Sequence, residues 1–316
     1  MALFPLRLVP ADTHIDFIAR RTVAYAVSAA IVLLSIGAYL VNGLNYGIDF
    51  KGGILIEVRT PGPANLDELR GRLAGLGLGE VALQEFGTET DVLIRIERQA
   101  GGEEAQQAAV EKVKEALADT VRNYRRTEFV GPKVGGELIE AGIIAVVLSL
   151  LGIMAYVWFR FEWQFSVAAI VALTHDVIAT IGLFSVLGLE FNLSSVAAVL
   201  TIAGYSINDT VVIFDRVREN LRKYKTMEIV QLLNLSINET LSRTILTSFT
   251  TLLAVTAIFA FGGPVIRDFS LALIFGIFIG TYSTVYVASA LVIYLNIRES
   301  ISRGDVGTAA ERESRG

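Results

Sequence analysis

Asn208 and Asp209 stand well inside an apolar run long enough to cross a bilayer, in the stretch NLSSVAAVLTIAGYSINDTVVIFDRVRENLRKY at 192–224. Hydrocarbon cannot solvate a carboxylate, so an Asp at that depth costs roughly 2.5–3.5 kcal/mol even on insertion scales unless it faces protein or water. Ser194, Thr201, Tyr205, Asn208 and Asp215 recur in the same run at spacings of seven, four, three and seven. That spacing lays a polar stripe along one helical face, expected to look into a bundle interior or an aqueous path because lipid would leave it unsatisfied. Asp209 lies beside the stripe, under Tyr205 by the i, i+4 relation. A later apolar run is entered from the same side through Asn238, Glu239 and Arg243, which brings Arg243 to a depth comparable with Asp209. The two could pair: a charged carboxylate is favoured by a nearby guanidinium and disfavoured when desolvated alone.

Thr174, His175 and Asp176 form a second ionisable cluster in another apolar run. Each candidate has a purely structural counterpart. Asp209 with Arg243 would fix helix register as an ion pair, His175 with Asp176 would be a satisfied buried pair, and Asp215 with the basic run after it would be a helix end and topology signal. Gly276 and Gly280 form a GxxxG, the pattern of close helix packing.

These residues need helices to hold them, and the composition supplies them. Of 316 residues 53% are hydrophobic and 19% charged, with a mean hydropathy of +0.55. That is too apolar for a soluble two-domain protein and reads as a polytopic α-helical membrane protein. A net charge of −5 gives no electrostatic support for binding nucleic acid. The absence of cysteine excludes disulfides and thiol chemistry, and two histidines leave no basis for a His-based metal centre. With no Walker motif and no nucleophile–base pair either, an enzyme is not expected.

The hydropathy predicts six spans, at 22–41, 141–159, 165–188, 191–214, 244–263 and 269–296. The first follows a short polar segment, 1–21, with no small-residue cleavage signal after it, and is expected to remain as transmembrane helix 1. With the N-terminus cytoplasmic, thirteen Lys and Arg fall in inside segments: Arg7, Arg20, Arg21, Arg160, the five between 216 and 225, Arg298, Arg303, Arg312 and Arg315. The short outer loops hold Arg267 alone, so both termini are expected inside. The expected division is then a cytoplasmic segment 1–21, helix 1 at 22–41, an external domain 42–137, helices 2–6 within 138–297 and a cytoplasmic tail 298–316. Within 42–137 the alternation in Ile54-Leu55-Ile56-Glu57-Val58 and Val92-Leu93-Ile94-Arg95-Ile96 predicts strands, and AAVEKVKEAL at 108–117 predicts a helix. The full prediction is strand 53–60, helix 66–75, strands 81–86 and 91–97, helix 103–120 and strand 123–130. That order is βαββαβ, the ferredoxin-like split motif. GIDFKGG at 47–53 reads as a turn and strand entry, not a phosphate loop.

Taken together, GIDFKGG at 47–53, with Gly47, Asp49, Gly52 and Gly53, His175-Asp176, GYSINDTVVIFDRVREN at 204–220 and SINETLSRT at 236–244 resemble the SecF family. This is the smaller-subunit family of the SecD–SecF protein-export complex, within the resistance-nodulation-division superfamily. The resemblance covers nearly the whole chain. It implies a bacterial inner-membrane protein that pairs with SecD, assists the SecYEG channel late in export and acts on a translocating unfolded polypeptide. It implies H⁺ as the coupling ion and no other cofactor. It places proton movement at Asp209 and Arg243, with Asn208 beside them and His175, Asp176, Tyr205 and Thr201 as secondary polar candidates. Two other classes stay open: half of a proton-coupled small-molecule exporter, and a passive membrane scaffold.

Overall fold

A computed structural model describes residues 13–86, 88–263 and 266–298. Arg7, Arg303, Arg312 and Arg315, which enter the charge count above, lie outside the described residues. The chain is a polytopic helical membrane protein with, among the described residues, six helices long and apolar enough to cross a bilayer. They are α1 (Arg21–Asn42), α5 (Pro132–Arg160), α6 (Trp163–Leu187), α7 (Leu193–Lys223), α8 (Ile229–Phe261) and α9 (Arg267–Ser283). The last span continues through a π turn, Thr284–Ala288, into α10 (Ser289–Leu291) and a final 3₁₀ turn, Val292–Leu295. Several helices outrun their apolar segments. The clearest is α8, which starts ahead of the hydropathic run 244–263 because Leu232, Leu233 and Ile237 bury one face of its amphipathic first half.

Between α1 and α5 lie β1 (Asn45–Tyr46), α2 (Ile48–Lys51), β2 (Gly53–Arg59), α3 (Leu66–Ala74), β3 (Val81–Phe86), β4 (Thr88–Glu97), α4 (Gly102–Ala116) and β5 (Asn123–Val130). The motif expected to be turn and strand entry therefore carries one helical turn, α2. Strands β2 to β5 form an antiparallel sheet in the order β3-β4-β2-β5. Alternate residues of the central strands point to one face, where Ile54, Ile56, Val58, Val92, Ile94 and Ile96 pack on Leu69 and Leu73 of α3 and Val110 and Val113 of α4. Each such buried side chain contributes about 1.5–3 kcal/mol. Asn65 starts α3, its side chain accepting from the Glu68 N–H.

In the bundle α6, α7 and α9 are central, whereas α1, α5 and α8 leave most of their apolar surface outward. Helices α7 and α9 approach closely through the GxxxG face: a side chain at Gly276 would collide with Ile202, and one at Gly280 would come within 3.1 Å of Ser206 Cβ. A parallel two-strand pairing of β1 with β6 (Glu190–Phe191) ties the α6–α7 connection to the residues after α1.

Candidate functional site

Helix α7 is set by its first turn. The Asn192 side chain accepts from Ser195 N at 3.1 Å and Ser195 Oγ accepts from Asn192 N at 3.1 Å, a reciprocal capping box. From this start the helix turns Ser195, Ser206, Asp209, Thr210 and Asn220 inward. Asp209 is 1% exposed, and its Oδ2 is buried without a hydrogen-bond partner. The polar groups acting on it come from α8: the Arg243 guanidinium and the Thr244 and Thr247 hydroxyls. Thr244 Oγ1 is itself buried and unpartnered. One turn away, Tyr205 donates to Ser248 Oγ at 3.0 Å, and Ser248 is bonded in turn to Thr281 Oγ1 at 3.0 Å, so α7, α8 and α9 share one polar seam.

A contact left open by the sequence and the direction of the stripe are both visible here. Asp209 and Arg243 make no ion pair: Arg243 lies on an exposed face of α8 while Asp209 turns into the seam, so the guanidinium acts across space. Of the two settings expected for the stripe, a bundle interior or an aqueous path, the interior of this chain's own bundle is not the one it takes, because the stripe faces outward. Ser194, Thr201, Asn208 and Asp215 are exposed on this chain and Tyr205 is half-buried. Ile202 and Ser206 pack against Gly276 and Gly280 of α9 while Asp209 turns toward α8, which leaves the stripe on the remaining, outward side of the helix. Thr201 bonds its own helix at Ala197 O, and Asp215 pairs with Arg160 at 3.2 Å.

His175 and Asp176 form the better-connected cluster. Asp176 is fully buried, with Oδ1 bonded to His175 Nδ1 at 3.0 Å and Oδ2 accepting from Ser206 Oγ and Ser283 Oγ, both at 2.7 Å. One carboxylate thus joins α6, α7 and α9, immediately before the π turn. Below it Thr210 Oγ1 and Thr284 Oγ1 are bonded at 2.8 Å, the latter being the first residue of that turn. His175 Nε2 is buried without a partner, and its ring lies 6.3 Å from that of Tyr282, whose hydroxyl donates to Ala24 O of α1. A buried carboxylate held by hydroxyl donors and an imidazole can hold a proton and pass it to a neighbour.

Sequence reasoning missed Ser206 and Ser283. A signal for Ser283 was present: it continues the face of Gly276 and Gly280 at i+7 and i+3. Among the described residues no group of three or more His, Cys, Asp or Glu is placed to hold a metal ion.

Asp49 and the glycines of 47–53 lie elsewhere, at the end of the bundle where α7 begins. Asp49 Oδ2 accepts from Leu193 N at 3.1 Å, and Gly47 N donates to Phe191 O at 2.8 Å. At the opposite end Glu239 accepts from Arg216 Nε and from Asn220 Nδ2, both at 2.7 Å. There Asn234 and Asn238 hold the backbone of Ile15, Phe17 and Ile18.

The family model described as "Protein export membrane protein SecD/SecF, C-terminal" matches residues 109–298, and the "SecD/SecF GG Motif" model matches residues 40–60. A protein of Rickettsia rickettsii, "Protein translocase subunit SecF", is 49% identical over 92% of this chain and 95% of its own length. The SecF protein of Rickettsia bellii is 48% identical over 94% of this chain and 98% of its own. Among solved structures, SecDF from Thermus thermophilus, described as a translocon-associated membrane protein, superposes with a TM-score of 0.78 at 38% identity over 92% of this chain. SecDF in a super-membrane-facing form gives 0.71 at 37% identity over 95%. This chain spans 40% and 41% of those two polypeptides.

Proposed function

Because the chain belongs to the SecD/SecF family of protein-export membrane proteins, we propose that it is the SecF-type half of a proton-driven export complex. It would pair with SecD, assist the SecYEG channel in late export and act on the emerging unfolded polypeptide. The observation that carries the proton reading is Asp209: fully buried in the α7–α8 seam, with a carboxyl oxygen that no donor satisfies and a guanidinium acting on it from a distance. Such a group is held in place by neither a salt bridge nor a full set of hydrogen bonds. Gaining or losing a proton therefore changes which packing of α7 on α8 is lower in energy. A charge crossing the membrane field is worth about 2.3 kcal/mol per 100 mV, enough to bias two packings that differ by a few kcal/mol. Tyr205, Asn208 and Thr201 would extend the route along α7, and the Asp176 cluster would be a second proton-holding point.

The α+β unit belongs to the same proposal as an external, ferredoxin-like domain. Its strand order β3-β4-β2-β5 supports the kinship, and the bias of Lys and Arg toward the opposite end of the bundle supports the orientation with both termini cytoplasmic. The domain would hold the emerging chain and prevent backsliding.

The test is export of a secreted reporter in inverted vesicles, with and without a proton gradient, comparing wild type with Asp209→Asn and Arg243→Ala at matched levels. Loss of the gradient-dependent part with SecD association intact is the expected result. Normal export by both variants overturns the proton assignment and leaves Asp209 a structural residue of the α7–α8 seam.

A further inference from the structure

We propose that the segment Gly47–Gly53 is the mechanical link between α7 and the α+β unit, with Asp49 and Arg95 as its positioning residues; the proposal rests on the reading above. The motif sits at the start of α7, away from Asp209 in the middle of that helix.

Its contacts run in two directions. Toward the bundle it grips the start of the helix that carries Asp209. Asp49 accepts from Leu193 N, the first residue of α7, where a carboxylate is favoured by the helix dipole. Asn45 and Tyr46 pair in parallel with Glu190 and Phe191, and Phe50 stacks on Phe191 at 6.0 Å and 26°. Phe191 in turn meets Phe184 of α6 edge-on at 5.3 Å.

Toward the α+β unit there is no slack. Gly52 and Gly53 take φ of 74° and 145°, conformations that favour glycine, and Gly53 is already the first residue of β2. Arg95 of β4 pairs with Glu190 and lies within the field of Asp49 and Asp268. Burial pushes its guanidinium below the ordinary value while those two carboxylates oppose the shift. Glu190 N donates to Asp268 Oδ2 at 3.3 Å, which joins α9 to the same knot.

The fit is tight on both sides. A side chain at Gly47 would collide with the Glu190 carboxylate, and one at Gly135 of α5 would collide with the Phe50 carbonyl. Among the described residues, α2 packs on α5 and β1 on β6, and no other element of the α+β unit packs broadly on a spanning helix. A displacement of the first turn of α7 must therefore carry the motif with it. The motif, through Gly53 and Arg95, carries the sheet.

The experiment uses the whole SecD–SecF complex in proteoliposomes and reads two quantities, gradient-driven export and proton flux. Asp49→Ala and Arg95→Gln are expected to lower gradient-driven export about fivefold or more, the lower range of an allosteric coupling, while proton flux persists. The chain has no cysteine, so the register pair Tyr46 and Phe191 can be bridged cleanly. In the Asp49→Ala background, the oxidised Tyr46→Cys/Phe191→Cys protein should regain export relative to the same protein reduced. Normal export by the single variants, a parallel fall in proton flux, or no gain on oxidation would each overturn the link. Asp209→Asn is the separate arm: proton flux and gradient-driven export that survive in it sink the proton reading, whatever the link variants do.

Discussion

Asp176 and Asp209 are both buried, yet one carboxylate has three hydrogen-bond partners and the other has an oxygen with none. That difference in hydrogen bonding is why the function proposed above puts the moving proton first on Asp209. Asp209 was legible in the sequence because a carboxylate amid apolar residues is conspicuous. The support of Asp176 was not, since Ser206 and Ser283 look like small packing residues until α7 and α9 are brought together. A third carboxylate, Asp91, shows the opposite environment, outside the membrane. Arg59 donates to it through Nε at 2.6 Å and Nη2 at 2.7 Å, with Thr88 at 3.0 Å and Arg125 at 3.3 Å. The hydrogen bonds from Arg59 outweigh burial and hold its carboxyl at about 2, against an ordinary 3.8. The folded-state value lies below the unfolded one, so the contribution to stability is complete above about 3.8 and is lost as pH falls toward 2. Thermal unfolding of the full chain should show Asp91→Asn less stable than wild type at neutral pH. The two should converge as pH drops through that window, and a constant difference across it would contradict the account.

At the scale of elements, the order of strands and helices over 53–130 was legible because alternation and helical spacing are local properties of the chain. The lengths of the spanning helices were not, because hydropathy reports the part of a helix that lipid covers and is silent about an amphipathic extension that protein covers. Helix α8 is the case in point: Asn234 and Asn238, one turn apart on its first half, clasp the segment before α1. Asn234 Oδ1 accepts from the N–H groups of Phe17 and Ile18 at 3.0 and 3.1 Å, and Asn238 exchanges two bonds with the Ile15 backbone at 3.0 and 2.8 Å. Ile18 and Phe17 then seat in the core, Phe17 edge-on to Tyr286 at 6.0 Å. Each bond is worth about 1 kcal/mol net, so Asn234→Ala should expose the Phe17 and Ile18 amides by about 1–3 kcal/mol. Hydrogen exchange at those two amides should quicken by about ten- to a hundredfold. Unchanged exchange would mean that the apolar contacts alone hold the segment. The π turn in the last span was equally invisible in the sequence; it follows Ser283, the Asp176 ligand, and its first residue, Thr284, meets Thr210 across the helix interface.

For the molecule as a whole, the outward polar face of α7 is the feature that one chain cannot explain by itself. Ser194, Thr201, Asn208 and Asp215 are exposed along a helix whose middle crosses hydrocarbon, and an amide facing lipid would forgo its hydrogen bonds at a cost of several kcal/mol. The physics behind the expectation is unchanged, since the stripe still needs protein or water against it, and the function proposed above supplies a partner for that face. The SecDF polypeptides this chain resembles are more than twice as long, which fits a second half supplied in trans. That half should cover the stripe. Single cysteines placed at Thr201 and Asn208 are unique in a chain that has none. With SecD absent, both should react with a small maleimide that enters the membrane, and with SecD co-expressed both should be protected. Thr201→Trp, whose own hydroxyl bond is only to its helix, should weaken recovery of SecD with the complex while leaving the isolated chain folded. If labelling is the same with and without SecD and Thr201→Trp retains its partner, the stripe borders water or another protein, and the two halves meet through a different face of the bundle.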